Sequence, residues 1–559
     1  MHAPDMVLTI NPDGRVYASV YTGNQYQSLL FVEDSGGAWI IKNMYSDLIL
    51  TTDGDSVWAQ RDSNPLYQRF ALESLNDNSY MIYSRHSNKM LTLVYDTFEL
   101  LPFHPQNRNQ SFLKLIQGDG SWGVRKAHRS LFRGTVDPLE SIKRVGNWFR
   151  NSNRQPTALH AWKGGEFNVK AQLVEGVSFQ VTLWVGAQYA DPDTAYATPR
   201  SYVLTEGNNT ITDPGGGMVY VVVEGEDNIV NVMVTGQVRA AAHFEHHVTE
   251  ASAYRHMVSV SDPRCAVELI SDRTTITVTS GAALAYIDSD MTELMNIHEQ
   301  IISKQEAMIG LDGSTPLHTR APLHYHLVLG NHGGAGYAHA SHGYTAYHMD
   351  FARPLLVVGA LKEDWGIGHE LGHQNQMLAY KPNDLTEVSN NIVAMAIGRM
   401  FNRHSRLLAK DDSGRDTWDL ALAKREQPDF RFEQLDAFER LAVLEQLTLA
   451  FGEAFWPRMN KIVREQWPST GWGPDRETAF SHLAWFGSMA AGQDLTSYMA
   501  AWDMPLTDVF KERIAQLGLE APMPPLHTLR EAAGMNTQTP VSFPNFNCGT
   551  APATVFPPS

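Results

Sequence analysis

The chain has 559 residues, 43% hydrophobic and 19% charged, with a formal net charge of −17 at pH 7. That length exceeds a single core and divides into roughly two to four domains. The composition excludes wholesale disorder, and the negative balance excludes a general nucleic-acid binder, because phosphate contacts need a basic surface. Cys265 and Cys548 are the only cysteines. They are too few for a disulfide scaffold or a cysteine metal site, and sequence does not say whether they pair. No stretch approaches the roughly 18 apolar residues of a membrane span.

The first third repeats itself. Met6-Val-Leu-Thr-Ile10, Leu48-Ile-Leu-Thr-Thr52 and Met90-Leu-Thr-Leu-Val94 recur every 42 residues. A second marker, Gln27-Ser-Leu29, Gln68-Arg-Phe70 and Gln110-Ser-Phe112, recurs at spacings of 41 and 42. Three such units, rich in short strands and turns, predict a closed three-fold β structure over 1–125. They resemble the ricin-type β-trefoil lectin family, whose unit ends in Q-x-W. The resemblance implies a β-trefoil in which the Gln and the following bulky residue build the core, and a carbohydrate-binding role. The domain either binds glycans, with Trp58, Tyr67 and Tyr95 as stacking candidates, or only packs against its neighbour.

From 126 to 250 longer alternations follow. Phe167, Val169, Ala171 and Leu173 alternate with polar residues, as do Val177, Phe179, Val181, Leu183 and Val185. Strands are also expected at 218–223 and 229–234, with glycine-rich turns between them. One half-buried face per strand predicts an antiparallel β-sandwich accessory domain. No chemical constellation lies in it.

After 251 the pattern becomes α+β. Strands at 266–269, 275–279 and 324–329 precede helices at 364–380, 438–456, 458–467, 477–489 and 494–502. Lys381-Pro382 ends the first, and Asp384 and Thr386 offer cap oxygens for a helix striped by Leu385, Val388, Ile392 and Met395.

The first of these helices carries His369-Glu370-Leu371-Gly372-His373, an H-E-x-x-H sequence. Residues four apart share a helical face, so His369 and His373 can hold one zinc ion. Glu387 on the next helix supplies a third ligand, leaving one position open for water. Zinc lowers the pKa of bound water to near 7, and Glu370 is then the general base. Gly368 and Gly372 are helix-poor choices, costing about 1 kcal/mol each relative to Ala, which implies close approach of something to that face. Asn391, and Asn390 beside it, are placed to support the ligands. An oxyanion donor is sought in the stretch 331–348, among Tyr337, Tyr344, Tyr347 and His348. Four histidines there (His332, His339, His342 and His348) also raise a second metal, with a flexible substrate-lining loop as the plainer reading. Trp365 is either a sugar platform or a core aromatic. Gln376 is a further candidate, either for supporting a ligand or for binding substrate.

Asp364-Trp-Gly-Ile-Gly-His-Glu-Leu-Gly-His-Gln-Asn-Gln376, then Thr386-Glu-Val-Ser-Asn-Asn-Ile392, resembles the M60-like (enhancin-like) zinc metallopeptidase family. Phe451-Gly-Glu-Ala-Phe-Trp456 and Gln493-Asp-Leu495 with Trp502 extend the match. Gly368 departs from the bulky residue common before the first histidine. The resemblance covers 251–520 and implies a gluzincin-like catalytic domain (251–530) with one zinc, acting on mucins and other O-glycosylated proteins beside a glycosylated Ser or Thr. The expected location is extracellular, although Met1-His-Ala-Pro-Asp-Met6 has neither a basic n-region nor an apolar h-region. Two other readings are a glycan-binding adhesin with an inert peptidase domain and a general zinc protease localised by its first domain. The tail 531–559, rich in Pro, Thr, Asn and Ser, reads as an extended strap.

Overall fold

The computed structural model describes residues 6–532 except 21–24, 64–65, 75–79, 95–96, 104–109, 111, 117–121, 127–130, 189–197, 250, 331–336 and 468–472. Tyr95, His332 with the glycine-rich stretch around it, Cys548 and the tail from 533 lie outside the described residues.

The N-terminal repeat sets strand register. Twelve strands from Met6–Ile10 to Trp122–Lys126 form one sheet whose pairings recur every four strands. Val7 pairs with Arg125, Lys42 with Ile49, and Tyr83 with Met90. The marker residues Leu29, Phe70 and Phe112 pair with Trp122, Trp39 and Tyr80. All three are buried, as are Gln27, Gln68 and Gln110. Gln68 Nε2 donates to Thr51 Oγ1 at 3.1 Å, and Gln110 Nε2 to Thr92 Oγ1 at 3.0 Å. In the first unit Gln27 Nε2 reaches Ser19 Oγ at 3.0 Å, which in turn contacts Thr9 Oγ1 at 2.6 Å. The glutamines are thus core residues whose amide nitrogens are bonded, as buried polar groups require.

The middle unit consists of two antiparallel sheets. Leu131–Arg133, Ile229–Gly236, Glu166–Glu175 and Gly207–Thr212 form one. Arg200–Leu204, Val181–Val185, Gly217–Val223, Gln155–Ala161 and Val238–Ala240 form the other. Phe167, Val169 and Ala171 meet Val181, Leu183, Val185, Val219 and Val221 in a shared core, as the alternation requires. Val177 is a correction. It follows Gly176, whose φ of +112 turns the chain, and it is 94% exposed ahead of the strand. Leu131 and Ile229 join the core of the N-terminal unit and bind the two units together.

The last unit packs helices on a mixed sheet in the order His243–Glu245, Ala266–Ile270, Thr274–Thr279, Tyr325–Leu329, Tyr344–Tyr347, Ala338–Ser341. His243–Glu245 pairs parallel with Ala266–Ile270, so this sheet begins before residue 251. Ala338–Ser341 is an edge strand. Several helix bounds differ from expectation. The helix expected over 364–380 is Gly366–Gln374. Asn375 stops it, its Nδ2 donating to Leu371 O at 3.2 Å and to Gln305 Oε1 at 2.6 Å. The helix expected over 438–456 breaks at Gly452 into Ala437–Phe451 and Phe455–Gln466. Asp384 and Thr386 cap nothing: Asp384 pairs with Arg476 at 2.9 Å, and Thr386 Oγ1 accepts from Lys381 Nζ at 3.0 Å. Among the described residues no helix is long and apolar enough to cross a membrane.

Asp213 organises one end of the sandwich. It accepts from Arg200 Nε at 3.1 Å, Arg200 Nη2 at 2.8 Å, Tyr202 OH at 2.8 Å and two backbone amides. Burial alone would raise its pKa, but these donors outweigh burial and hold it below the usual carboxylate value. Asp213→Ala removes the buried carboxylate that Arg200 and Tyr202 both bond, and is expected to lower stability by about 3 kcal/mol at pH 7. A depressed folded pKa gives stability that is present above the ordinary carboxylate range and lost as pH falls through the folded value. Urea unfolding of both proteins should therefore show a gap that is constant at neutral pH and narrows only in acid.

Candidate metal centre

His369 and His373 project from the helix Gly366–Gln374. Its first turn is capped by Asp364, whose Oδ1 accepts from the Ile367 amide at 2.7 Å. Glu387 lies in the short helix Thr386–Ser389 at a non-helical φ/ψ of −92°/21°, just before the helix Asn391–Met400. This kink turns its carboxylate toward the imidazoles. Glu387 Oε2 is 3.1 Å from His369 Nε2 and 3.3 Å from His373 Nε2. Ligands bound at about 2.1 Å on the corners of a tetrahedron are about 3.4 Å apart, so Glu387 Oε2 is placed to share one zinc-sized ion with each imidazole. His369, Glu370 and His373 also place their side-chain donors within 4.8 Å of one another.

The tautomers follow from two amides. Asn391 Nδ2 donates to the Glu387 carbonyl at 2.9 Å, so its Oδ1 faces His369 Nδ1 at 2.7 Å. Gln376 Nε2 donates to Thr386 O at 2.7 Å and Ser389 Oγ at 2.9 Å, so its Oε1 faces His373 Nδ1 at 2.9 Å. Each oxygen can only accept, so each Nδ1 carries a proton and Nε2 is the ring atom left for a metal. That is the arrangement a metal requires, with the amides fixing the rings. Asn390 lies between the imidazoles, its Nδ2 donating to the His369 carbonyl at 3.3 Å and lying 3.1 Å from His373 Nε2.

Electrostatics follow burial and charge. Burial is the largest influence on His369 and works against its charged form. Hydrogen bonding to Glu387 and the nearby Glu370 charge outweigh it and raise the pKa. The two imidazoles hold Glu387 well below the usual carboxylate range. Burial raises Glu370 above the ordinary value. Glu370 is 6% exposed, its Oε1 is 4.0 Å from His369 Nε2, and no protein donor binds it among the described residues.

The glycines do what their placement implies. A Cβ on Gly372 would lie 2.4 Å from the Asn390 carbonyl oxygen, whereas one on Gly368 would meet the tip of Ile397 at 3.3 Å. The object approaching this helix face is the backbone that carries Glu387 and its supports.

The other expected residues separate. Trp365 packs against Phe438 at 6.1 Å, with the Arg406 guanidinium 5.1 Å from its ring centre, so it is a packing aromatic. Tyr347 is fully buried beside Phe351 and cannot meet a substrate. Tyr344 OH lies 3.3 Å from His339 Nε2. His348 Nδ1 accepts from the Asp350 amide at 3.4 Å and meets the exposed Tyr337 edge-on. Among the described residues no second cluster of metal-binding side chains is present.

Sequence reasoning missed the segment between the sandwich and the helix before it. Trp148 N donates to Gln376 O at 2.9 Å, and Asn147 Nδ2 to Gln374 O at 3.1 Å. The Trp148 ring lies edge-on to His373 at 6.3 Å, stacks on Phe149 at 4.2 Å and has Lys381 Nζ 3.6 Å from its centre. Adjacent aromatics in a linker carry no sign of a partner more than 200 residues away.

Residues 237–503 match the family described as peptidase M60, enhancin and enhancin-like. No curated protein matches the chain. Among solved structures, a functionally unknown conserved protein from Bacillus anthracis str. Ames is 22% identical, covering 72% of this chain and 81% of its own, with a TM-score of 0.64. The ZmpB metallopeptidase from Clostridium perfringens is 18% identical, with coverages of 73% and 84% and a TM-score of 0.60. The M60 catalytic domain of Clostridium perfringens ZmpC, in complex with the sialyl T antigen, is 17% identical, with the same coverages and a TM-score of 0.59. At these identities the likeness is one of fold.

Gly372→Ala forces the helix from the Asn390 backbone and is expected to cost about 1–3 kcal/mol, while Gly368→Ala stays within about 0.5 kcal/mol because a flexible side-chain tip can yield. Thermal unfolding of both variants checks the contrast. Gln376→Ala and Asn391→Ala each release one imidazole and should weaken zinc binding by about 10–100-fold, measured by chelator competition with circular dichroism unchanged.

Proposed function

Residues 237–503 form a peptidase domain of the M60, enhancin-like, family, and from that premise we propose that the chain is a zinc-dependent endopeptidase acting on O-glycosylated, mucin-type proteins. The observation that carries this reading is the placement of Glu387 Oε2 within 3.1 and 3.3 Å of both imidazole Nε2 atoms, with Glu370 alongside. His369, His373 and Glu387 would hold the ion, an arrangement that supports a gluzincin-like site. When bound there, zinc acidifies water and polarises a carbonyl. Glu370 takes a proton as general base and returns it to the leaving amine. Asn391 and Gln376 keep both Nδ1 atoms protonated throughout. The strand Ala338–Ser341 lies at the sheet edge, where an extended peptide can join it.

The glycoprotein part rests on two supports. A neighbour of the same fold is described in complex with the sialyl T antigen. The three-fold register of the N-terminal unit supports a β-trefoil of the lectin type. Its marker glutamines are spent on the core, so any sugar contact falls to other residues.

Glu370→Gln keeps the shape and removes the base, so cleavage should fall by about 10²–10⁴-fold while zinc content stays the same. Digestion of a mucin-type glycoprotein, before and after enzymatic removal of its O-glycans, tests the substrate class by mass spectrometry of the released peptides. Peptides that begin or end at a glycosylated Ser or Thr, and only from the glycosylated form, are expected. Equal cleavage of both forms would exclude the glycan requirement.

A further inference from the structure

A cavity of about 450 Å³ lies at the seam between the sandwich and the catalytic sheet, within the roughly 300–1,000 Å³ range of small-molecule sites. Three elements meet there. The linker of residues 150–154 supplies Arg150 and Arg154. The sandwich strand Val181–Val185 supplies Thr182 and Trp184. The turn of the edge hairpin supplies His342 and Gly343.

The two arginines set the chemistry. The Arg154 guanidinium lies 4.0 Å from the centre of the Trp184 ring. Among the described residues neither it nor Arg150 has a carboxylate or carbonyl partner for its guanidinium; their recorded bonds are through the backbone, Arg154 N to Ser152 Oγ at 3.2 Å and Arg150 N to His342 Nδ1 at 3.4 Å. A guanidinium carries five donors, so the two side chains have donors to offer a ligand in the cavity. Burial lowers Arg154 to about 10, which leaves it fully charged at neutral pH. Arg150 is close enough to lower it further and also lowers His342, whose own burial is the larger cause.

The remaining polar lining is of another kind. Asp137 and Glu224 also face the cavity without reaching an ion-pair distance from either arginine, and Gln180, Thr182 and Asn153 add neutral donors and acceptors. A cavity lined by two cations, carboxylates that do not pair with them, amides and a hydroxyl matches a ligand with one acidic group and several hydroxyls. We propose that this cavity binds an acidic saccharide, its anionic group on Arg150 and Arg154 and its hydroxyls on the polar rim. The carboxylate of a sialic acid and the sulfate ester of a sulfated sugar share this chemistry.

The place of the cavity gives the site a use. The edge strand Ala338–Ser341 ends at His342, and Gln374 Nε2 reaches Ser341 O at 3.5 Å from the metal-site helix. Phe149 contacts His342 at 5.1 Å and stacks on Trp148, which meets His373. A peptide lying along the edge strand would carry its acidic glycan toward the cavity, on the far side of this ring column from the metal centre. The binding itself does not depend on the peptidase reading.

Calorimetric titration of the full chain with sialyllactose, galactose 6-sulfate, lactose and sodium sulfate tests the proposal. Saturable binding of one or both acidic sugars is expected, and which one binds identifies the source of the acid. Arg150→Gln and Arg154→Gln should each weaken it roughly tenfold or more, since a hydrogen-bonded charge is lost. Arg150 is only partly buried and its bond to His342 is through the backbone, so its variant keeps the test open if Arg154→Gln fails to fold. Lactose or inorganic sulfate binding as tightly as the acidic sugars, undiminished binding by both folded variants, or no saturable binding at millimolar sugar would each overturn it. Sugar binding by a chain that cleaves nothing would overturn the peptidase reading alone and leave this one standing.

Discussion

Each imidazole of the metal centre is gripped by one amide side chain that also grips the backbone around Glu387. Asn391 joins His369 to the Glu387 carbonyl, and Gln376 joins His373 to Thr386 and Ser389. Much of the surrounding fold is what this double clamp requires. The helix must end at Gln374 so that Gln376 can turn back, and Asn375 ends it with side-chain bonds in place of a further turn. The next helix must break at Glu387 so that its carboxylate faces the rings. The two backbones must approach closely, and Gly372 lets them. Each of these departs from the best local conformation, at about 1 kcal/mol for a mid-helix glycine, and the cost is met by packing and by fully bonded amides.

The wall beside this centre comes from far away in the chain. The segment from Gly146 to Ser152 runs along the catalytic unit, bonding to Gln374, Gln376, Leu378 and His324. It carries Trp148 between Lys381 and Phe149. The linker that enters the sandwich thus borders the metal centre and lines the seam cavity. The N-terminal unit stands further off, with its own three-fold core and a junction through Leu131 and Ile229.

Legibility followed the range of the interactions. The repeat of 42 residues was readable because identical local units impose identical pairing, down to Leu29, Phe70 and Phe112 at one register position. His369, Glu370 and His373 were readable because four residues make one helical turn. The two glycines pointed to a close neighbour without naming it. Helix ends were less readable, since Met377, Leu378 and Tyr380 continue an apolar pattern past the point where Asn375 interrupts the backbone ladder. Asp384 and Thr386 have cap-forming side chains, yet Arg476 and Lys381 claim their oxygens. Tyr347 was an oxyanion candidate by its type, and tertiary packing buried it, while Trp365, open between a sugar platform and a core aromatic, packs on Phe438.

By itself the sequence determined what rests on spacing along one chain: three β units in register, a two-sheet middle with alternating faces, and a two-histidine turn with its acid and a following Glu. Helical and strand periods are local, so these patterns specify faces without knowledge of partners. Only the tertiary structure decided which tautomer each histidine adopts, that Gln376 and Asn391 enforce it, that Trp148 borders the site, and that Arg150 and Arg154 share a cavity with Trp184. Those depend on contacts between segments up to hundreds of residues apart, and no local period encodes where such segments meet.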